Sequence, residues 1–474
     1  MPLPRFQTRS VLPVAGPGCT TAPLITAPDT SWASRQRFTL RIARSAFAGY
    51  VARPLVQAHP LRLNPTHRAG YFVVAASFLI QAVTIGGMFA YGVLFAEMIT
   101  TFGWSRATIS GVISAATLTM GIAGMLAGRL NDRFGPRGVM SVSAIFYGAG
   151  FALMSTMTTP WQLYLFWGVM VGIGLSTHDV ITLSTVARWF PRRRGLMSGI
   201  VKVGTGCGQL IVPILVAALV ASYDWRIACQ IFGAGAFVIL MLAAQVMRRD
   251  PGGAAASLVL SPATGTQMPG ASVMPDATYR TALRSPALWL LCASQAMVIG
   301  CLATVTVHIV PHAIDLGLSR TAAASLLAGI GGISLLGRLM VGGTIDRIGG
   351  RRALLACYCL LFASLVWLQF AHAPWMLFVF ATAYGIAHGG FFTVMSPTVA
   401  ELFGTRAHGA LFGTVLFFGS LGGAIGPLAA GAAFDALGSY RLAFGALCLL
   451  AVAGFILVCR LARHRPGLSH SVAP

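Results

Sequence analysis

The sequence predicts an all-α membrane protein: twelve transmembrane helices in two pseudo-symmetric six-helix bundles, with both termini cytoplasmic. Three observations carry that prediction. Of the 474 residues, 56% are hydrophobic and only 9% are charged, where a water-soluble domain carries roughly 25% charged residues. The apolar residues gather into twelve runs, each long enough to cross roughly 30 Å of hydrocarbon as a helix. The chain also repeats itself, without a gap, at an offset of 214 residues (342 less 128) across residues 103–213.

Taken in order, the first 66 residues hold eight arginines and one acid, Asp29, among many Pro, Ser and Thr. They read as an Arg-rich, disordered tail; a transit peptide, or a start placed too far upstream, accounts for that composition as well. The first bundle, 67–246, contains apolar runs at about 71–98, 107–127, 138–157, 161–186, 196–221 and 227–246. Residues 247–286 are rich in Gly, Ala, Ser, Thr and Pro and read as a flexible cytoplasmic linker. The second bundle, 287–462, contains runs at about 287–311, 321–343, 353–371, 375–399, 410–433 and 441–461, and 463–474 form a short tail. Gly195/Gly199 and Gly204/Gly208 have the small-xxx-small spacing that lets helix backbones approach closely.

The repeat is carried by residues that a shared lipid environment does not select. Gly128, Asp132, Arg133, Gly135 and Arg137 return as Gly342, Asp346, Arg347, Gly349 and Arg351. The same offset pairs Ser105 with Ser319, Pro160-Trp161 with Pro374-Trp375, Gly195 with Gly409, Gly199 with Gly413 and Pro213 with Pro427. Two like-built halves in an apolar chain point to a carrier with its substrate near the bilayer midplane. The net charge of +22 does not mark a nucleic-acid partner, because the arginines sit in short clusters between the apolar runs. If alternate loops are assigned to one side, that side collects nearly all of them, while Arg106, Arg226, Arg320 and Arg441 stand on the other. The asymmetry places the clustered side, and both termini, in the cytoplasm. The nine cysteines, all but Cys19 inside apolar runs, read as small buried hydrophobes. No metal, cofactor, disulfide or nucleophile–base set is expected.

The paired Gly-x-x-x-Asp-Arg-x-Gly-x-Arg loops resemble the signature of the major facilitator superfamily, over about residues 70–462. Within it, Ala187-Arg-Trp-Phe-Pro-Arg-Arg-Arg-Gly195 and Gly337-Arg338-x-x-x-Gly342 resemble the oxalate/formate antiporter and monocarboxylate porter group. The resemblance implies that the loops act as a gating latch on the cytoplasmic side. An acid at Asp132 or Asp346 can face the positive N-terminal end of a helix in the other bundle, with the arginines bracing the loop; fixing topology is the simpler role for Arg133 and Arg137.

Charges inside the apolar runs are the sharper signal. Lys202, the only lysine in the chain, lies in the fifth run, where Gly206, Gln209 and Pro213 share its helical face. Arg338 lies in the eighth run and shares a face with Gly331, Ser334 and Gly342, small residues expected to leave room around the guanidinium. A charge at bilayer depth costs at least ~2.5–3.5 kcal/mol on insertion scales, so it normally meets water, a partner or a substrate. One cation from each half, on opposite walls of a cavity, makes an anion trap, and a planar guanidinium matches a carboxylate with two prongs. Snorkelling of Lys202 to the headgroups and an internal salt bridge to Arg338 are the alternatives. Asp179, with His178, reads as a proton-coupling group, as a static partner that locks Lys202, or as a helix-end residue. His308, His312 and His388 are candidate donors to substrate, although a lone polar residue more often bonds a neighbouring helix. Glu401 is expected to pair with an arginine of the 347–352 loop.

Two positions depart from the proton-linked porters in the group. The place one turn before Arg338, usually acidic there, is Ser334, and Ile85-Gly86-Gly87-Met88 in the first run carries no charge. The expectation is thus a secondary transporter in a bacterial inner membrane. It moves a small mono- or dicarboxylate by alternating access, as antiport or proton symport. Its partners are the anion, a proton or counter-anion, and the lipid bilayer; it acts as a monomer. A major facilitator exporter of drugs or other uncharged molecules is the alternative cargo, and a membrane receptor that binds without translocating is the alternative class.

Overall fold

The computed structural model describes residues 65–249 and 277–461. Nearly all of the expected N-terminal tail, the linker from 250 to 276 and the tail after 461 lie outside the described residues. Twelve helices are long and apolar enough to cross a membrane. They are α1 (Pro65–Phe102), α2 (Arg106–Phe134), α3 (Pro136–Met154), α4 (Pro160–Trp189), α5 (Arg194–Ser222) and α6 (Trp225–Val246), followed by α7 (Pro286–Asp315), α8 (Arg320–Ile348), α9 (Gly350–Gln369), α10 (Pro374–Phe403), α11 (His408–Leu437) and α12 (Arg441–Arg460). The chain is a multi-pass membrane protein. α1 begins two residues earlier than the bundle boundary expected from sequence, and α7 one residue earlier.

The 214-residue offset reappears as geometry. α2 and α8 begin and end at positions in that register, as do α4 and α10. Ser105 and Ser319 cap the two second helices alike, each side-chain oxygen accepting a backbone N–H three residues on. Gly135 and Gly349 turn the chain at φ 89° and 84°, where a side chain would be strained, and each returns its N–H to the helix just ended. Arg137 donates to the Gln245 carbonyl at 2.9 Å and Arg351 to the Cys459 carbonyl at 3.3 Å. Gln245 and Cys459 are themselves in register, so the repeat runs to the end of each sixth helix, farther than residue identity shows it. Each arginine fastens its turn to carbonyls that a helix C-terminus leaves open.

Glycines set how closely the helices approach. Gly204 and Gly208 of α5 lie against the Phe78 and Ala82 carbonyls of α1, and Gly422 of α11 lies against the Ala296 carbonyl of α7. The two bundles meet along two seams, both at the Arg-rich end. In one, Gly195 and Gly199 of α5 meet Gly342 and the Arg338 carbonyl of α8; in the other, Gly409 and Gly413 of α11 meet Gly128 and Gly124 of α2. Gly342 therefore does not leave room around Arg338, as its size suggested; its missing side chain lets α8 touch α5. One element breaks the symmetry. α4 contains a π-helical stretch, Tyr164–Val171, and is interrupted at Ser176, whereas α10 is regular throughout. The interruption puts Asp179 in the first turn of the segment Thr177–Trp189, and such irregular turns often mark functional positions.

Candidate substrate site

The repeated loops hold the seams by crosswise capping. The Asp132 carboxylate accepts the backbone N–H groups of Gly409 at 3.1 Å and Ala410 at 2.9 Å, the first turn of α11, and it pairs with Arg188. Asp346 accepts those of Gly195 at 2.7 Å and Leu196 at 2.9 Å, the first turn of α5. Each acid thus sits on the positive end of a helix in the opposite bundle. The position in register with Arg188 is Leu402, so the second loop lacks a guanidinium from that place. Glu401 does not take an arginine of the 347–352 loop, as its charge suggested. Both its oxygens accept the Gly350 N–H, at 2.9 and 2.8 Å, and cap α9. The first bundle has Pro136 at the equivalent position, with no N–H to offer.

About one-third of the way in from the Arg-rich end lies a buried charge cluster. Lys202 Nζ donates to Asp179 Oδ1 at 2.7 Å, and Gln81 Nε2 reaches the same oxygen at 2.7 Å. The Thr205 hydroxyl donates to the Gln81 side-chain oxygen Oε1 at 2.7 Å, and His178 Nε2 lies 3.3 Å from the other carboxylate oxygen. Both Lys202 and Arg338 are only 2% exposed. Lys202 therefore does not snorkel; of the readings of Asp179, the contact is that of a pairing partner placed by a helix break. Arg338 Nη1 crosses the seam to donate to the Lys202 carbonyl at 2.6 Å. Its Nε is buried with no hydrogen-bond partner, and among the described residues no carboxylate lies within ion-pair distance of it. The Phe392 ring stands 5.3 Å from Lys202 Nζ and 6.0 Å from the Arg338 guanidinium carbon. The cations thus meet at one place on the α5–α8 seam rather than facing each other across a gap.

The remaining expected residues divide. Ser334 bonds His388 Nδ1 at 3.0 Å one turn above Arg338, so both belong to the neighbourhood. Gln209, two turns above Lys202, is half-buried. Residue 331 on the Arg338 face has open space beside it. His308 belongs elsewhere. It bonds the Tyr440 hydroxyl at 3.2 Å and the Pro427 carbonyl at 3.0 Å, inside the second bundle. At about 1.5 Å per residue it lies ~20 Å farther from the Arg-rich end than Lys202. His312 packs edge-on against Tyr440 and Phe444 in the same group. Gln81 stands out in the sequence only as a polar residue of the first run, with no partner assigned, and the uncharged Thr205, which holds it against Asp179, carries no signal beyond lying at the depth of Lys202.

Twelve spans in two repeated halves, latched crosswise around an intramembrane charge cluster, define a membrane transporter of two bundles. Residues 77–344 and 309–474 match the Major Facilitator Superfamily, and the chain belongs to that family. It is 28% identical over 378 residues to monocarboxylate transporter 13 of Rattus norvegicus, covering 79% of this chain and 85% of that protein. It is 26% identical over 397 residues to the agnestins efflux protein AgnL12 of Paecilomyces divaricatus, covering 82% and 87%. Among solved structures, the Escherichia coli fucose:proton symporter FucP shares the fold at a TM-score of 0.64 and 15% identity, over 84% of this chain and 99% of that one. The human organic anion transporter MFSD10 does so at 0.60 and 18%, over 83% and 100%.

Proposed function

We infer that the protein carries a small organic anion, a mono- or dicarboxylate, by alternating access, and that Arg338 is its principal anchor. The observation that carries this reading is the unmatched guanidinium. Lys202, Arg338 and Asp179 together hold one excess positive charge away from water, and among the described residues Arg338 meets a backbone carbonyl and the Phe392 ring but no carboxylate within ion-pair distance. Leaving a charge so placed without a counter-ion is costly, and a carboxylate reaching the unpaired Nε edge as the seam parts would relieve it. The monocarboxylate relatives support the same class of cargo.

Arg338 belongs to α8 and the carbonyl it touches to α5, so parting of that seam must break their bond. An anion on the guanidinium replaces the lost contact and lets Arg338 travel with its own bundle, while Lys202 and Asp179 stay together on the other. Protonation of Asp179 would release Lys202 for a second charge, giving proton symport; an Asp179 that stays ionised leaves anion exchange. With the Arg-rich end on the cytoplasmic side, the closed seams make this an outward-facing state, and a bacterial inner membrane is the setting we assign; the relatives compared above are eukaryotic. The efflux relative favours a second reading, export of an uncharged compound. Uptake of labelled pyruvate and succinate by proteoliposomes separates the two. Arg338→Gln and Lys202→Gln should each lower uptake at least about 30-fold, the scale for truncating a buried charge contact; unchanged uptake in both would support the exporter.

A further inference from the structure

Just before α7 the chain forms a short helix, Tyr279–Leu283, within the segment that joins the two bundles. Thr278 caps it, its hydroxyl oxygen accepting the Thr281 N–H at 3.3 Å. Two further bonds fasten this turn to the second bundle. The Ala277 N–H donates to the Phe403 carbonyl at the end of α10 at 3.1 Å, and the Trp289 indole of α7 donates to the Leu283 carbonyl at 2.9 Å. Tyr279 therefore travels with that bundle.

Its side chain reaches the other bundle as well. Arg129 of α2 sets its guanidinium carbon 4.5 Å from the Tyr279 ring centroid and donates from Nη2 to the hydroxyl at 3.0 Å. The same hydroxyl lies 3.1 Å from Thr414 Oγ1 of α11, and the Thr414 hydroxyl donates to the Ala410 carbonyl at 2.9 Å. A guanidinium can only donate, and each hydroxyl has one proton to give. The bonds thus run one way, from Arg129 to Tyr279, Thr414 and Ala410, and Ala410 is the residue whose N–H caps onto Asp132. Thr414 orients the tyrosine; the Arg129 contact is the one that crosses between bundles. Arg129 and Thr414 answer to Gly343 and Ile200 in the 214-residue register, so the α5–α8 seam offers neither partner for such a contact.

We propose that Tyr279 is a gating residue of the transport cycle: it clips the α2–α11 seam shut, and the Arg-rich end opens only when its ring leaves Arg129. The inference concerns the gate alone and holds whatever is carried. The two seams then differ in what releases them. At α5–α8 the crossing guanidinium belongs to the proposed cargo site; at α2–α11 it is held by the segment that joins the bundles.

The test cross-links cysteines introduced at the Arg-rich ends of α2 and α11, in proteoliposomes without cargo, and reads the closed-to-open ratio. A charged hydrogen bond and a ring contact at an exposed site together predict at least about a fivefold fall for Tyr279→Ala and for Arg129→Gln. Tyr279→Phe keeps the ring against the guanidinium and should lower the ratio about twofold; it decides alone should Tyr279→Ala fail to fold. The double variant Tyr279→Ala/Arg129→Gln should fall no further than Tyr279→Ala, because both changes remove one contact. An unchanged ratio in the tyrosine variants, or single effects that add in the double, overturns the inference. So does a lower melting temperature with an unchanged ratio, which is what a merely structural tyrosine would give.

Discussion

Replacing Asp179 by Asn changes one charge and almost no volume, at the group on which the cluster turns. The carboxylate takes Lys202 Nζ at 2.7 Å and Gln81 Nε2 at 2.7 Å, and Lys202 is 2% exposed. Asparagine keeps an oxygen where Oδ1 lies, so the lysine retains a hydrogen bond but loses its counter-ion. The excess charge shared by Lys202, Arg338 and residue 179 rises from one to two. Breaking a buried pair from one side costs about 3–5 kcal/mol, because the surviving charge has nowhere to go. Lys202→Met should cost less, since His178 and Gln81 remain beside the bared carboxylate. The double variant Asp179→Asn/Lys202→Met removes both charges and should be more stable than Asp179→Asn alone. We expect a coupling of at least about 2 kcal/mol in the double-mutant cycle, within the range for residues in direct contact. Equilibrium unfolding of purified protein in mixed micelles gives all four corners. If Asp179→Asn lies within ~0.5 kcal/mol of the parent, or the two single effects add, the pair carries no such energy and the reasoning fails.

Three further outcomes follow from the seams and from Arg338. A side chain at Gly195 would lie 2.6 Å from Ile345 and also strike the Gly342 carbonyl, so Gly195→Val should deplete the state closed at the Arg-rich end at least about tenfold, a shift of ~1.4 kcal/mol; cysteine cross-linking between α5 and α8 reads it, and undiminished cross-linking would contradict it. Asp132→Asn loses charged capping and also its hold on Arg188, whose Nε reaches the Thr405 carbonyl of the other bundle, so it should weaken the α2–α11 seam more than Asp346→Asn weakens α5–α8; equal cross-linking losses would be the contrary result. Ser334→Asp would set a carboxylate one turn from Arg338, and uptake of labelled pyruvate should fall at least about tenfold at neutral pH, as an internal counter-ion competes with the cargo.

What could be read in advance was whatever repeats or whatever is rare. Asp132 and Asp346 stand out because acids are scarce in this chain, and their register placed both where a helix start faces them. A lone lysine and a mid-span arginine were equally visible. Partner choice was not. An almost wholly apolar helix has no amphipathic stripe to fix its rotation, so the pairing of Lys202 with α4, and of Arg338 with a backbone carbonyl, depends on how helices from distant segments pack. The break at Ser176, which turns Asp179 toward α5, follows Gly172 and Gly174, but glycines are common in these helices and others leave theirs unbroken. His308 misled because a polar residue inside a span has two ways to be satisfied, and the Tyr440 hydroxyl and Pro427 carbonyl meet its need locally. Glu401 misled because a helix N-terminus attracts a carboxylate much as an arginine does.

The gapless register also permits a comparison position by position. Lys202 answers to Leu416, Asp179 to Thr393, Arg338 to Gly124 and His178 to Phe392, while Gly128, Gly195, Gly199 and their counterparts stay alike. The glycine seams have kept their twofold likeness and the ionic residues have not. The halves are parallel repeats, related by an axis along the membrane normal, so exchanging them leaves the same end closed. At the depth of Lys202, what sets the two seams apart is charge: α5–α8 carries Lys202 and Arg338, with Asp179 beside them, where α2–α11 has Leu416 and Gly124, so two contacts alike at their glycines are unlike in what they can hold.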